Sequence, residues 1–435
     1  MKQSIRGAVC LLAAALLSAG CVMKKNMEGV VRVASFSTDP AIIKIFNDAY
    51  REIEKRHPGL KIQADTIPYS SYQDKIITLF AADSAPDLVG VEVNAIFGDL
   101  YRKGVFEDLT PYFERDKMDP KDYYPTVLKR FTPGGRLYAL PSDTAPAGLI
   151  YYNKKLFREA GIPFPDGKWK WPEPFLSICK KLTKRDASGK VIQWAFSDAY
   201  GINGDNFLFS NGGYYLDSEE NPTKLALATP EAIEAFRFRW DMSYTTHVAP
   251  TRSELEGVAS GVGVGGEGLF MGGQVAMMCS GIWHVPRFQL VQGLDYDVTE
   301  FPAGPKGIKG WGTGGSGIAM VKNTKNKELA WIVMKEIAGP ELSAKLAATG
   351  LMQPALVKVA NSPAFLNAPP PGRKFLLDMP NHAHYMPFMA GWDELLKTQI
   401  NPATDRVWYG QKTPEQVFPE LIANLNGKFF KETAK

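Results

Sequence analysis

The fold is decided by Val30-Val-Arg-Val-Ala-Ser-Phe36 and by Asp39-Pro40-Ala-Ile-Ile-Lys-Ile-Phe46, which follows it. The first segment is rich in β-branched residues and predicts a strand. Asp39 and Pro40 are typical of a helix cap and a first helical residue, and apolar residues then recur at helical spacing until His57-Pro58-Gly59. These residues therefore predict a strand that leads directly into a helix.

The same alternation continues along the chain. Residues 60–66 and 87–91 have strand patterns, and residues 71–82 and 95–103 have helical ones. Repeated β-α units predict a mainly parallel sheet with helices on both faces, whose ligands bind at the carboxyl ends of the strands. The loops at those ends contain Ser37-Thr38, Pro68-Tyr69-Ser70 and Glu92-Val93-Asn94.

A second region of mixed pattern follows residue 135. Residues 136–141 and 147–152 are predicted strands separated by Ser142-Asp143-Thr144, and helical patterns dominate from there to residue 244. Residues 301–317 contain seven glycines and two prolines and predict a flexible crossing between domains, and Ala368-Pro-Pro-Pro-Gly372 predicts another linker. Several crossings indicate two lobes joined by a hinge.

Length and composition limit the class of protein. The chain has 435 residues, enough for two domains, and its 45% hydrophobic and 22% charged residues are typical of a globular protein. Its formal net charge is only +4, so a nucleic-acid partner is not expected.

The N-terminus has the features of an export signal. Lys2 and Arg6 precede an apolar run over residues 8–17, and Leu17-Ser-Ala-Gly-Cys21 ends it with small residues. The apolar stretch is shorter than the roughly 20 residues of a membrane-spanning helix. We expect residues 1–20 to be removed. Two kinds of export signal fit these residues: the signal of a lipoprotein, and an ordinary secretory signal as the alternative.

Two cysteines, Cys179 and Cys279, lie in the body of the chain, 100 residues apart. Cys179 lies on an apolar helical face and Cys279 follows a strand-like apolar segment, and two cysteines form no disulfide framework. We expect two buried free thiols.

Eight segments resemble the carbohydrate-binding extracellular solute-binding proteins of ABC importers, the maltose-binding-protein-like family, and they occur in the family's order. They are Ser70-Ser-Tyr-Gln-Asp-Lys75, Ala85-Pro-Asp-Leu-Val89, Leu109-Thr-Pro-Tyr112, Tyr151-Tyr-Asn-Lys-Lys-Leu-Phe157, Ala160-Gly-Ile162, Val275-Ala-Met277 with Gly281 and Trp283, residues 311–317, and Trp408-Tyr-Gly-Gln-Lys-Thr-Pro-Glu-Gln416. Residues 17–21 resemble the lipobox of bacterial lipoproteins, in which Cys21 is lipidated.

The resemblance implies a two-lobed α/β fold of the type II periplasmic-binding-protein kind, with the ligand in the cleft between lobes. Residues 30–142 and 315–352 would form lobe 1, residues 143–314 and 353–435 would form lobe 2, and residues 21–29 would link lobe 1 to the lipid. The expected protein is a monomer anchored to the outer face of the cell membrane. It would deliver a sugar to an ABC permease with a separate ATPase, and it would need no cofactor and perform no catalysis.

A sugar site needs aromatic planes for the C–H face and polar groups for the hydroxyls. The candidate residues are those at strand ends and glycine-rich crossings, and the resemblance places solute contacts at several of them: Tyr69, Glu92, Asp143, Trp283, Trp311, Gly314, Gly315 and Trp392. Each has a structural alternative, since Asp143 can organise a turn and a tryptophan can be a core residue. Tyr385 is a further residue that either contacts solute or packs, and Trp240 is expected in the core.

Other chemistries stay open as alternatives. The glycine run at residues 261–266 matches a dinucleotide fingerprint formally but has no strand before it, so a loop is expected. His382 and His384 are a possible pair of metal ligands, but a metal site would need further ligands beside them. A glycerol phosphate or another polyol derivative is an alternative ligand for the same fold. A phosphate would favour an arginine at the cleft, and Arg406 is the candidate. A secreted polysaccharide-degrading enzyme would need two carboxyl groups flanking the bond.

Overall fold

The computed structural model describes residues 28–37, 39–94, 96–199, 204–219, 222–262 and 265–425, without the side chains of residues 258–262. The export segment, Cys21 and Thr38 lie outside the described residues.

The described strands run in chain order as follows. They are β1 (Gly29–Phe36), β2 (Leu60–Ile67), β3 (Leu88–Glu92), β4 (Ala139–Pro141), β5 (Asp143–Pro146), β6 (Leu149–Asn153), β7 (Lys184–Arg185), β8 (Val191–Asp198), β9 (Val275–Ser280), β10 (Tyr296–Glu300), β11 (Trp311–Gly314), β12 (Ser316–Met320), β13 (Gln353–Pro354) and β14 (Ala383–His384).

The described α-helices are α1 (Pro40–Arg56), α2 (Tyr69–Ala81), α3 (Phe97–Arg102), α4 (Thr110–Arg115), α5 (Pro125–Arg130), α6 (Lys154–Glu159), α7 (Phe175–Leu182), α8 (Asp205–Ser210), α9 (Pro230–Tyr244), α10 (Arg252–Val262), α11 (Gly266–Met271), α12 (Val285–Phe288), α13 (Lys327–Ile337), α14 (Pro340–Ala348), α15 (Val357–Ala360), α16 (Pro363–Leu366), α17 (Trp392–Leu395), α18 (Asn401–Trp408) and α19 (Pro414–Leu425). Short 3₁₀ segments span Pro120–Asp122, Pro133–Gly135, Ile282–His284, Pro371–Leu377 and Met379–His382, and a π-helical turn spans Leu396–Ile400.

The first sheet has the order β2-β1-β3-β12-β4. The predicted β-α-β-α-β-α start is confirmed: β1 pairs in parallel with β2 and β3, and α1 begins where the Asp39 carboxylate accepts the N–H groups of Ala41 and Ile42 at 2.8 and 3.3 Å. The helix ends at His57, as expected. Local capping and periodicity are sufficient to specify this part of the chain.

The second sheet has the order β10-β6-β9-β8-β7, and only β8 and β9 are parallel in it. In the first sheet β12 is antiparallel to both β3 and β4. The expectation of mainly parallel sheets is therefore wrong, although the α/β class is confirmed. The reason is that β12 returns from the second sheet and enters the first one in the opposite direction, which no local pattern specifies.

A third sheet, which we call the crossing sheet, has the order β13-β5-β11-β14. Its strand β5 connects β4 of the first sheet to β6 of the second, and β11 leads back into β12. Residues 143–146 are thus a strand that pairs with β11 and β13, whereas residues 142–144 were predicted to separate two strands. The chain passes between the two larger sheets here.

The glycines of residues 301–317, which were predicted to form a flexible crossing between domains, allow the backbone to pack closely where the chain crosses between the sheets. A Cβ at Gly304 would meet the carbonyl oxygen of Ser210 at 2.0 Å, and one at Gly310 would meet that of Phe209 at 2.5 Å. The backbone approaches helix α8 too closely for any side chain. These glycines fix the position of β11.

Buried side chains form three clusters. One surrounds the first sheet, the second surrounds β6 and β9, and the third joins α9 to the C-terminal helices. Cys179 and Cys279 are buried free thiols, as predicted. Among the residues the structure describes, no helix is both long and apolar enough to span a bilayer.

Candidate functional site

The loop after β3 brings polar groups to the crossing sheet. The Glu92 carboxylate accepts the backbone N–H of Asn94 at 3.0 Å, and the Asn94 amide donates to the carbonyl oxygen of Thr313 at 2.7 Å. A Cβ at Gly314 would meet a Glu92 carboxylate oxygen at 2.7 Å. Glycine is therefore required for this carboxylate to lie against β11.

Asp143 lies at the start of β5, next to the same strand end. Its carboxylate accepts the backbone N–H of Ser316 at 2.8 Å. Burial raises the pKa of Asp143 to about 6, against the lowering effect of that hydrogen bond. A Cβ at Gly315 would meet the carbonyl oxygen of Asp143 at 3.1 Å, so β5 and the β11–β12 junction are in close contact.

A narrow cavity of about 20 Å³ lies beside this cluster. Asn94, Arg102 and Arg130 line it from the side of the first sheet, and Phe388 and Trp392 line it from the C-terminal region. The cavity has room for about one water-sized group. It adjoins a wider groove of about 470 Å³ that shares Arg102 and Asp393 with it and is otherwise lined by the charged Asp99, Glu394 and Lys397, with Gly391 and Thr398.

Several buried polar atoms in this region have no hydrogen-bond partner among the described residues. They are Asn94 Oδ1, Thr126 Oγ1, Arg130 Nε, Thr144 Oγ1, the Tyr385 hydroxyl and Trp392 Nε1. The hydroxyls of Tyr385 and Thr126 face each other without forming a hydrogen bond of good geometry. Because an unpaired buried polar group costs about 1–3 kcal/mol, these neighbouring atoms make the region a candidate site for a polar ligand.

The turn after β9 carries Trp283 and is held by a network of side chains. The Ser280 hydroxyl lies 2.9 Å from Nε2 of His284, and Nδ1 of His284 lies 3.2 Å from the Glu267 carboxylate. Arg287 contacts the same carboxylate at 3.0 Å. Burial would raise the pKa of Glu267, but the hydrogen bond from His284 and the positive charges of His284 and Arg287 lower it.

Of the predicted site residues, the structure brings together Glu92, Asp143, Gly314 and Gly315, with Trp392 in the adjoining cavity. Trp392 is only 3% exposed and packs edge-on against Tyr215.

Two other predicted aromatic residues have accessible surface. Tyr69 is 58% exposed at the start of α2, where its ring packs edge-on against Phe36. Trp283 is half-buried and lies beside His284.

The prediction that Trp311 contacts solute is wrong for this structure. Its side chain is 0% exposed, and its indole N–H donates to the carbonyl oxygen of Met379 at 2.9 Å. A Cβ at Gly148 would meet Cγ of Trp311 at 2.6 Å, so a glycine far along the chain makes the slot for this ring. Both ring faces are enclosed in the core, and neither is available to a sugar.

Sequence reasoning missed Arg102, Arg130 and Phe388, and it left Tyr385 undecided. Arg130 ends helix α5 and resembles any basic residue in a last helical turn. Only the contact with residues 385–392 reveals its position. Arg406, the arginine predicted near the cleft, instead faces Glu420 at 3.7 Å on the C-terminal helices.

The rival motifs have structural roles. His382 lies 3.1 Å from Asp378 and His384 lies 2.8 Å from Glu219, so each histidine faces its own carboxylate. Among the described residues there is no group of three or more His, Cys, Asp or Glu side chains suited to a metal ion. Of the glycine run, residues 261 and 262 end α10 and Gly266 begins α11, where a loop was predicted; residues 263–264 lie outside the described part.

Two α/β regions joined by a crossing sheet, with polar and aromatic groups at the junction, define a cleft-type binding protein. The model of the family described as bacterial extracellular solute-binding protein matches residues 34–342. The chain belongs to this family.

Solved structures have the same fold. An ABC substrate-binding protein from Listeria monocytogenes in complex with cycloalternan is 26% identical, with a TM-score of 0.78 over 92% of this chain and 99% of that one. Maltose-bound MalE3 of T. maritima is 22% identical, with a TM-score of 0.74 over 91% and 98% of the two chains. These likenesses confirm the type II periplasmic-binding-protein fold.

A relative of known binding specificity is similar in sequence. The arabinooligosaccharide-binding protein of Halalkalibacterium halodurans is 24% identical over 335 residues, which are 71% of this chain and 67% of that protein.

Proposed function

We propose that this protein captures a sugar or oligosaccharide at the crossing sheet and delivers it to an ABC permease that has a separate ATPase. Lobe 1 would comprise residues 30–142 and 315–352, and lobe 2 residues 143–314 and 353–435. Family membership, the cycloalternan complex of the Listeria protein and the arabinooligosaccharide specificity of the Halalkalibacterium protein support the proposal.

The observation that carries the proposal is the group of unpartnered buried polar atoms beside aromatic rings. A saccharide supplies hydroxyls, which both donate and accept, and apolar C–H faces. The side-chain oxygen of Asn94 offers such a ligand an acceptor, the indole N–H of Trp392 a donor, and the Tyr385 hydroxyl both. Glu92 and Asp143 add carboxylate acceptors.

Binding would act through a hinge. A solute that contacts groups from both lobes binds the closed form more tightly than the open one, and so shifts the equilibrium toward closure. The strands β5 and β11 are the hinge in this proposal, since they connect the two larger sheets. Closure would then present one face of the protein to the permease.

We propose that the bound solute undergoes no covalent change. Ser280, His284 and Glu267 stand in the order of a nucleophilic triad. The Ser280 side chain, however, is 5% exposed, and Glu267 also contacts Arg287. This arrangement suits a network that fixes the turn carrying Trp283.

Export and lipidation at Cys21 belong to the same proposal, with the mature monomer on the outer face of the cell membrane. The variant Cys21→Ser is expected to leave the membrane fraction and appear in soluble extract, because a lipid on this cysteine would be the anchor. Continued membrane retention of the variant would contradict lipidation at this residue.

The binding proposal is tested by thermal unfolding with a panel of sugars and oligosaccharides, followed by product analysis of each mixture. A ligand present at 100 times its dissociation constant stabilises the folded protein by about 2.7 kcal/mol. A shift with the sugar recovered intact supports a binding protein. A shift with cleavage would instead indicate an enzyme, and no shift with any saccharide would contradict the proposed ligand class.

A further inference from the structure

Arg130 is a half-buried cation at the wall of the narrow cavity. Its guanidinium lies 5.1 Å from the ring centre of Tyr385 and 4.9 Å from that of Phe388, and one N–H donates to the carbonyl oxygen of Met386. Its Nε is buried without a hydrogen-bond partner. The donors of this side chain are therefore only partly used.

In the part of the chain that the structure describes, the charge of Arg130 has no carboxylate in direct contact. Among the described residues no carboxylate oxygen lies within 4.0 Å of its guanidinium, whereas Arg102 on the same cavity wall contacts Asp99 at 2.6 Å. Loss of hydration lowers the pKa of Arg130, while Glu92 and Glu219 act on it from a greater distance. Glu219 is itself engaged with His384 at 2.8 Å.

An unpaired guanidinium is costly to remove from water unless a ligand supplies the counter-charge. Its planar fork of donors matches the two oxygens of a carboxylate or phosphate, which it binds with paired hydrogen bonds. The Tyr385 and Phe388 rings hold the guanidinium plane in place. The adjoining groove has the volume for a sugar ring, and its carboxylates, Asp99, Asp393 and Glu394, can accept hydrogen bonds from sugar hydroxyls.

We propose that the solute is an anionic saccharide, with a carboxylate or phosphate group that pairs with Arg130 while its hydroxyls contact the adjoining groove. This inference rests on the proposed function and specifies the ligand class of the same site. A uronate and a sugar phosphate share the required chemistry, because each has an oxyanion on a polyhydroxylated frame.

The test is isothermal titration of the purified protein with matched pairs of probes. Digalacturonate is compared with neutral galactobiose, and glucose 6-phosphate is compared with glucose. We expect the acid of at least one pair to bind at least tenfold more tightly than its neutral counterpart, and the pair that shows this difference identifies a carboxylate or a phosphate.

Two variants assign the difference to Arg130. Arg130→Gln is expected to bring the affinity ratio of acid to neutral sugar close to one, with a melting temperature within a few degrees of the wild type. Arg136→Gln removes the same charge from an exposed side chain that faces Asp108, and it should keep the full ratio. A ratio that survives in Arg130→Gln would contradict the assignment.

The remaining outcomes separate this inference from the proposed function. Neutral saccharides that bind at least as tightly as their acids would overturn the anionic class and leave sugar binding intact. If neither these probes nor the wider sugar panel binds, both proposals are overturned.

Discussion

Arg239 and Arg130 are both partly or wholly removed from water, and their surroundings differ sharply. Arg239 is 0% exposed and donates to Asp198 from Nε and Nη2 at 3.1 and 3.0 Å, and to Ser243 from Nη1 at 3.0 Å. Arg130 has one backbone acceptor, two aromatic rings and an unpartnered Nε. A buried cation with a complete set of partners supports the fold, whereas one with an incomplete set is suited to a ligand.

The largest effect is expected from Arg239→Met. Removing this cation leaves the Asp198 carboxylate buried, where burial already raises its pKa despite the neighbouring charge, and should cost about 3–5 kcal/mol of unfolding free energy. Urea unfolding measures this loss. Adding Asp198→Asn should recover part of it, and Arg130→Gln should cost far less. Equal losses of unfolding free energy for Arg239→Met and Arg130→Gln would contradict the proposed difference between the two arginines.

A second pair of variants extends the comparison to tryptophans. Trp311→Ala removes a fully enclosed ring and should cost about 3–5 kcal/mol of stability. Trp283→Ala should instead weaken sugar binding at least tenfold and change the melting temperature little, because its half-buried ring is proposed to stack on solute. Calorimetric unfolding and titration of both variants distinguish these roles; unchanged affinity in Trp283→Ala would remove Trp283 from the site.

Two carboxyl groups should respond to pH in opposite directions. The pKa of Glu267 is lowered in the folded protein, so its stabilising contribution is present above the unfolded pKa and is lost on acidification through the folded value. Glu267→Gln should lose about 1–2 kcal/mol at pH 7, with the difference from wild type shrinking below about pH 4. A difference that stays constant as the pH is lowered from 7 to about 3 would contradict this role of the Glu267 carboxylate.

Asp143 gives the smallest and opposite effect. Its folded pKa of about 6 lies above its unfolded value, so its contribution favours the folded state at low pH and is lost as the pH rises through about 6. Asp143→Asn should therefore be more stable than wild type at pH 7 by on the order of 1 kcal/mol, and equal to it near pH 4. Melting temperatures over this range provide the check; a variant less stable at pH 7 would show that the charged carboxylate supports the fold.

Local signals in the sequence predicted the elements of the first sheet. Asp39 and Pro40 specify the start of α1 by their own chemistry, and the carboxyl-end rule placed Glu92 at the site. The predictions that failed concern features that depend on residues distant in sequence. Trp311 is a core residue because Gly148 leaves room for its ring, and the direction of β12 is set by its return from the second sheet.

The position of Arg130 at the cavity also could not be predicted from the local sequence. Nothing within α5 distinguishes it from Arg115 at the end of α4, which faces Glu328 at 2.8 Å on the surface. Its position at the cavity depends on Met386 and Phe388, more than 250 residues later in the chain. Sequence periodicity carries no information about such a contact.

Saccharide binding at the crossing sheet is tested most directly by a crystal structure of the protein with a saccharide that thermal unfolding identifies as a ligand. We expect the sugar to lie against the crossing sheet, with hydrogen bonds to Asn94 Oδ1, Arg130 Nε or Trp392 Nε1, buried atoms that have no partner among the described residues. A saccharide bound elsewhere, with these atoms still unpartnered, would contradict it.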